Sequence, residues 1–529
     1  MRKSIFVLLI LFFQTTLYGQ QTLYKGKVID AVYRTPVPYA SVFVEYTQFG
    51  AVADNVGEFS FMVPDSLRHY RLVGVGDGYP IAYFSSNVDE PEAMVIALQP
   101  RGGVNGAASP LGGNQGEQGA FGSFLNKAVR LVLNDWIPLG DPETNKFDFG
   151  RLQTFPTYNP IEGVRLRAGV ASNSRLSPNL FLKGYLAYGF GDQQLKYRGE
   201  ATWSFDRKVY HEEEFPKNNL TLVYEKDLYS PGEMHPRSPN NLLLITYRRS
   251  EDQATYRNFA EINYEREYKN GFAQTAWVRR ARMMPQGNLL FENRIDGTYI
   301  QDDALYTSEL GVQLRFAGRE AYRQEKRKRR PIDITSPVFF FSHTVGQYDF
   351  MGEEKPYHRS EFSAQKRFLL GTAGRLDAVG EVSKIWNGVP FPLLVYPNQR
   401  QRHHIENNAF FLNRALEFMA DEQVTIRTTF VGDNLLLAKV PLLDRLGLRE
   451  LLSLRASYGR LSDKNDPERT QELYRFPALS HRYGDTPYME GTIGITNILG
   501  LLRVEYVHRF TYRDHPEALL GKVRVDVTL

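Results

Sequence analysis

The stretch 157-TYNPIEGVRLRAGVAS-172 opens with a turn signal, Asn159–Pro160, and continues as a strand. From Val164 the side chains alternate, with Val164, Leu166, Ala168 and Val170 on one face and Arg165 and Arg167 on the other. Neighbouring residues of a strand point to opposite faces, so one face is apolar and the other charged. A soluble sheet with one wet face has this pattern, and so does the wall of a membrane barrel. The fold depends on which solvent the apolar face meets, protein core or lipid.

The same alternation recurs to the end of the chain. In "LKYRGEATWSF", Leu195, Tyr197, Gly199, Ala201, Trp203 and Phe205 oppose Lys196, Arg198, Glu200, Thr202 and Ser204. In "LLRVEYVHRFTY", Leu502, Val504, Tyr506, Phe510 and Tyr512 oppose Arg503, Glu505, Arg509 and Thr511. The terminal "GKVRVDVTL" sets Val523, Val525, Val527 and Leu529 against Lys522, Arg524, Asp526 and Thr528. These runs are about 9–12 residues long, the length a tilted strand needs to cross a bilayer. Strands of soluble proteins are shorter, about 5–6 residues. The expectation is therefore an all-β chain whose apolar faces meet lipid, in a transmembrane antiparallel β-barrel. Even strand numbers are the rule for bacterial barrels; we expect about 16 strands, with 14 as the next choice. Only "LLDRLGLRELL" (442–452) suggests a helix in this part.

The bulk composition agrees. Aromatic residues make up 13% of the 529, as 34 Phe, 31 Tyr and only 4 Trp. Aromatics favour strands and form girdles at the two interfaces of outer-membrane barrels. A net charge of +4, from 64 basic and 60 acidic residues, argues against a nucleic-acid surface. The absence of cysteine excludes thiol catalysis, disulfides and Cys-based metal sites.

"MRKSIFVLLILFFQTTLYGQ" has a basic start (Arg2, Lys3), an apolar run from Ile5 to Phe13 and a more polar tail. This is the pattern of a secretory signal peptide, residues 1–19, with cleavage expected after Gly19. Residues 20–100 predict a small β-sandwich, since short β-rich runs are separated by turns such as "RTPVP" and Asp54–Gly57. Residues 101–122 are a Gly-rich linker by composition. In 123–150, Leu125, Ala128, Val129, Val132, Leu133 and Trp136 fall on one helical stripe, which predicts an amphipathic helix and a lead-in to the barrel. The barrel is expected over 151–529.

Two resemblances bear on this organisation. "GKVID…TPVPYASVFVEY…GAVADNVGEFSFMVP", through Gly26, Pro38, Ala40, Val42, Asp54, Gly57 and Phe59, resembles the carboxypeptidase-regulatory-like domain. That resemblance implies a non-catalytic sandwich and no peptidase activity. Further on, "FDFGRLQTFPTYNPIEGVRLRAGV", "WNGVPFPLLVYPNQ", "NNAFFLNRALEFMADEQVTIRTTF", "KVPLLDRLGLRELLSLRASYGRLSDKN" and "PYMEGTIGITNILGLLRVEYVHRFTYRD" resemble a family of uncharacterised Gram-negative outer-membrane barrels. The resemblance implies an outer-membrane location with the sandwich in the periplasm, and leaves activity open. Many of its members insert a longer segment between sandwich and barrel than this chain has.

Catalytic motifs are missing from the sequence: there is no GxSxG elbow, HExxH helix or P-loop. His403, His404 and Glu406 cluster in "RQRHHIE", but adjacent strand residues point to opposite faces, and a loop is the plainer reading. Asp463, Asp466 and Glu468 in "SDKNDPE" are candidate weak calcium ligands, against the plainer reading of a solvated turn. The basic run "RQEKRKRRP" (323–331) is either a solvated loop or a grip on anionic headgroups such as lipopolysaccharide. Asn159, Pro160, Glu162 and Gly163 read as a structural turn. The sequence therefore names no catalytic, cofactor-binding or metal residue. It predicts a non-enzymatic barrel acting in envelope assembly, scaffolding or transport, in contact with lipid and with a protein partner of the sandwich. A passive or gated pore is the alternative, and an outer-membrane hydrolase the third reading.

Overall fold

The computed structural model describes residues 21–527 apart from 38–39, 45–49, 55, 65–70, 76–78, 80–81, 86–93, 100–135, 142–143, 151–155, 230–252, 296–297, 319–321, 325–328, 332–335, 398–409, 415, 433–435, 441–442, 444–447, 471 and 499–501. The expected signal peptide and Gly-rich linker, and Leu125 to Leu133 of the expected helix, lie outside the described residues. The chain forms two compact units.

In the N-terminal unit, Gln21–Asp30 pairs antiparallel with Glu58–Pro64 and parallel with Met94–Leu98. A second sheet runs in the order Gly50–Val52, Ser41–Val44, Arg71–Val75, Ala82–Ser85. Alternate residues of both sheets, including Val28, Val42, Leu72 and Ile96, share one apolar core. Asp30 ends the first strand by accepting the N–H groups of Val32 and Tyr33 at 2.7 and 2.8 Å, and the Tyr79 hydroxyl donates to its other oxygen at 2.7 Å. The Tyr79 hydrogen bond and these N–H groups hold the Asp30 carboxyl below the usual range. The same hydrogen bond is the main cause that pushes Tyr79 up to about 12.

The second unit is one large sheet of 18 strands. Fifteen long ones follow each other as a meander: Gly163–Ser172, Leu180–Gly189, Leu195–Ser204, Asn218–Tyr229, Gln253–Glu267, Phe272–Gly287, Leu305–Ala317, Val338–Phe350, Glu353–Leu369, Gly374–Ile385, Glu422–Gly432, Arg449–Arg460, Tyr488–Ile498, Leu502–Arg509 and Gly521–Val527. The last of them pairs with Trp136–Pro138, which pairs with Phe147–Gly150, which pairs with Gly163–Ser172, with Gly150 opposite Gly169. The sheet thus closes on itself as a barrel. Thr157–Asn159 pairs with the other end of the Gly163–Ser172 strand. The expectation of about 16 strands holds roughly, the extra number coming from short strands at the seam.

Two local expectations change. Trp136 starts a strand and does not end a helical stripe, because Pro138 disfavours the α region at the residue before it. The last four residues of "LLDRLGLRELL" belong to the strand Arg449–Arg460, in which leucine alternates with Ser453 and Arg455.

The wall answers the opening question. Facing outward are Leu186 (59% exposed), Val278 (55%), Leu310 (57%) and Ile493 (63%), while Lys196, Glu225, Glu490 and Arg509 are fully buried on the inner side. A water-soluble barrel would place these classes the other way round. The inverted arrangement suits hydrocarbon outside, where strands can cross because a closed barrel leaves no unpaired backbone edge. Among the described residues no helix is long and apolar enough to cross a membrane. The strand connections divide between two rims. One rim carries 288–304, 386–421, 461–487 and 510–520; the other carries mostly shorter ones, among them 173–179, 268–271 and 370–373.

Candidate lumenal site

The inner wall is charged because alternation puts every second residue of these strands inside. Around it, cations and carboxylates pair from strand to strand. Arg165 holds Asp227 through two hydrogen bonds of 2.7 and 2.9 Å, and Tyr185 donates to the same carboxylate at 2.5 Å. Arg198 meets Glu225 at 2.6 Å, Arg279 meets Glu261 at 2.5 Å, Arg367 meets Asp377 at 2.5 Å and Arg427 meets Glu381 at 2.5 Å. Buried charges of this kind are costly unless partnered. The pairing is what allows a charged inner wall.

The turn at Asn159–Gly163 is part of this network. Asn159 accepts the N–H groups of Ile161 and Glu162 at 3.1 and 2.8 Å and donates to the Glu162 carboxylate. Glu162 is fully buried and joins Arg165 at 3.2 Å to Lys196 at 3.1 Å, and Lys196 reaches Asp192 at 2.5 Å. Gly163 has φ +63°, and a Cβ there would lie 3.0 Å from the Gly191 nitrogen. The turn has the structural role its sequence suggested, with an ionic anchor that a turn signal does not announce.

A second region of the lumen, along the last four strands, holds a segment of the 386–421 connection, Phe410–Asp421. Its Phe411 and Leu412 N–H groups donate to Glu490 of the inner wall at 2.8 and 3.0 Å. The Phe411 ring lies under two inward guanidinium groups, 3.5 Å from Arg524 and 4.4 Å from Arg455. Glu417 accepts from Arg509 Nη2 at 2.5 Å and Nη1 at 3.1 Å, and lies 3.0 Å from His515 Nδ1. Phe418 is fully buried among Tyr483 (4.7 Å between ring centroids), Tyr512 (4.9 Å) and Tyr488 (5.3 Å). The segment is thus bound to the lumenal face by charged side chains of four wall strands and by aromatic packing.

Burial alone would push the Glu417 carboxyl up. The hydrogen bonds and charge of Arg509, with help from the Arg414 N–H and His515, outweigh it and hold the group below its usual range. His481, whose ring stacks on His515 at 3.9 Å, is pushed down by burial and then by the His515 charge.

Loops of the same rim build a cap beside this segment. Leu289, Phe291, Val389, Phe391, Leu416 and Tyr474 belong to one buried cluster, in which Phe291 and Tyr474 stack at 5.0 Å. Asn465 links two of these loops, donating to Asp421 at 2.8 Å and accepting the Val389 N–H at 2.7 Å.

The other sequence candidates fall as follows. His403, His404 and Glu406 lie outside the described residues. Asp463 and Glu468 are exposed, as a solvated turn places them, whereas Asp466 is buried (1% exposed); Asp466 pairs with Arg482 at 2.6 Å, Asp463 with Arg469 at 2.7 Å and Glu468 with Arg482 at 3.0 Å. These carboxylates are neutralised by arginine, and no group of three or more potential ligands among the described residues could hold a metal ion. The described residues of the basic run, 323–324 and 329–331, belong to the short strands Tyr322–Gln324 and Arg329–Pro331, which pair antiparallel in the connection 318–337.

Among solved structures, the chain is similar to BamA from Haemophilus ducreyi lacking POTRA domains 1–3, at 8% identity and a TM-score of 0.41, over 83% of this chain and 88% of that one. It is also similar to CdiB from Acinetobacter baumannii, at 10% identity and a TM-score of 0.34, over 70% of this chain and 58% of that one. OmpT, an outer membrane protein of Vibrio cholerae, aligns at 10% identity and a TM-score of 0.26, over 63% of this chain and 88% of that one. No curated protein matches the sequence. Residues 141–463, more than half of the chain, match the C-terminal domain of the family of unknown function DUF5686, and the chain belongs to that family.

Proposed function

We propose that this protein is an integral outer-membrane barrel with a periplasmic, regulatory-like sandwich, and that it serves envelope assembly, scaffolding or transport without catalysing a reaction. The observation that carries this reading is the inverted wall, apolar outside and ion-paired inside. The sandwich supports the partner part of the reading. Its second sheet ends in the short strands Gly50–Val52 and Ala82–Ser85, whose outer edges pair with no other strand among the described residues and suit strand addition by a periplasmic protein. The first test is electrophoresis of membrane-extracted protein, unboiled against boiled. A shift in apparent size supports a closed barrel in the membrane; a soluble periplasmic protein without a shift refutes it. Crosslinking through the sandwich, with a partner lost on its deletion, tests the scaffold.

A gated pore is the second reading, favoured by the Phe410–Asp421 segment on the lumenal face. Planar-bilayer recordings distinguish it. Silence in the parent and conductance after Glu417→Gln support a gate, whereas silence in both leaves the scaffold reading alone.

A further inference from the structure

We propose that Arg280 and Arg282 form a site on the outer wall that binds phosphate groups of lipids in the leaflet beside the long-loop rim. The proposal rests on the outer-membrane reading above. In strand Phe272–Gly287, Arg279 points inward to Glu261 and Glu309, and Ala281 is buried. Val278, Arg280 and Arg282 are exposed on the other face.

These two arginines differ from those of the lumen. Arg280 lies opposite Ala260 and Ser308, and Arg282 opposite Asn258 and Tyr306. Neither has an ion pair among the described residues, although Arg282 stands 5.5 Å from the centre of the Tyr306 ring. Their neighbours on the outer face are the exposed apolar side chains Ile262, Val278 and Leu310. A bare guanidinium beside hydrocarbon is unfavourable unless it reaches an anion at the interface.

Their depth is suited to that. The lower edge of the apolar face on this strand is marked by Phe272, opposite Phe316. From Phe272 to Arg282, at about 3.3 Å per residue and a tilt near 40°, the strand climbs roughly 25 Å. That is about the height of the apolar band of an outer-membrane barrel. Both arginines are therefore near the level where hydrocarbon meets headgroups, and a guanidinium fork matches phosphate oxygens in geometry and charge. The basic run 323–331 belongs to a connection of the opposite rim. In the outer membrane, the phosphorylated lipid on the long-loop side is lipopolysaccharide, the occupant this site is assigned.

The test uses the full protein in detergent, titrated with lipopolysaccharide and with the same material stripped of phosphate. The expected result is a preference of about tenfold or more for the phosphorylated form, as charge-assisted bidentate bonds give, and loss of that preference in R280Q/R282Q. The double variant must still show the heat-dependent shift of a folded barrel. A preference retained in R280Q/R282Q, or lost in R329Q/R330Q instead, overturns the assignment. Equal competition by millimolar inorganic phosphate overturns it as well, leaving an adventitious ion only. Parent protein with no heat-dependent shift removes the outer-membrane reading itself, and this proposal with it.

Discussion

Arg509 and Glu417, 92 residues apart, meet through two hydrogen bonds of 2.5 and 3.1 Å with both side chains almost fully buried. One belongs to a wall strand and the other to a loop, so the pair adds a side-chain tie to the backbone hydrogen bonds that Asp421 makes with Ile385 and Arg460 of the wall. Breaking a buried pair on one side leaves the other charge stranded, at a cost of about 3–5 kcal/mol. Glu417→Gln or Arg509→Ala should therefore release Phe410–Asp421 while leaving the barrel closed. Limited proteolysis of membrane-embedded protein checks this: new cleavage within the segment is expected, with the unboiled band unchanged.

The same pair gives a pH dependence. The Glu417 carboxyl is depressed in the folded protein, so its contribution is present above the ordinary glutamate value and is lost as pH falls through the folded one. His481 is depressed too, so its contribution also declines on acidification, beginning below about pH 6.5. Susceptibility of the segment to an acid-tolerant protease should rise as pH is lowered from 7 towards 3. A flat profile would show that the charges do not hold it.

Leu310 points outward at 57% exposure. In a water-facing sheet Leu310→Arg would be nearly neutral. Facing hydrocarbon, it should cost about 2–4 kcal/mol near the bilayer midplane. Denaturant titration of protein folded into vesicles measures the difference directly.

In the sandwich, Tyr79→Phe removes the hydrogen bond to Asp30 and should lower the melting temperature of that unit. Because Asp30 is depressed, its contribution is lost as pH falls through its folded value, and Tyr79→Phe should make that loss smaller and complete at a higher pH. Thermal unfolding of the full protein, followed across pH 3 to 6, tests both effects.

Gly163→Ala places a side chain at φ +63° and 3.0 Å from the Gly191 nitrogen. A cost of about 1–3 kcal/mol follows from the backbone alone. It should appear as earlier melting of the unboiled band, with the same folded mobility.

The alternation of Val164 with Arg165 is sufficient to read a strand, and its repetition over long segments is sufficient to read a barrel. Period and length are local properties, which a sequence displays directly. The roles of Glu162 and Arg509 were hidden because each depends on a partner supplied by a distant strand or loop. Trp136 misleads for a related reason: its spacing suits a helix, while Pro138 weighs against one. The burial of Asp466 does not show in its neighbours in sequence, because Arg482, sixteen residues on, covers it. Least legible was Phe410–Asp421, whose quoted motif has no period at all. Its position is set by Glu490, Arg455, Arg524 and Arg509, from four different strands.

Closure of the wall has a consequence for the order of events in biogenesis. The strand Gly521–Val527 completes the ring by meeting Trp136–Pro138. Each long strand, this one included, pairs with its sequence neighbour, whereas the clasp joins the two ends of the sheet. Ring formation thus waits until Gly521–Val527 is in place, and pairings of such high sequence separation are intrinsically slow. Until then the nascent sheet has two bare margins, and any helper that shepherds it into the bilayer would have to shield both.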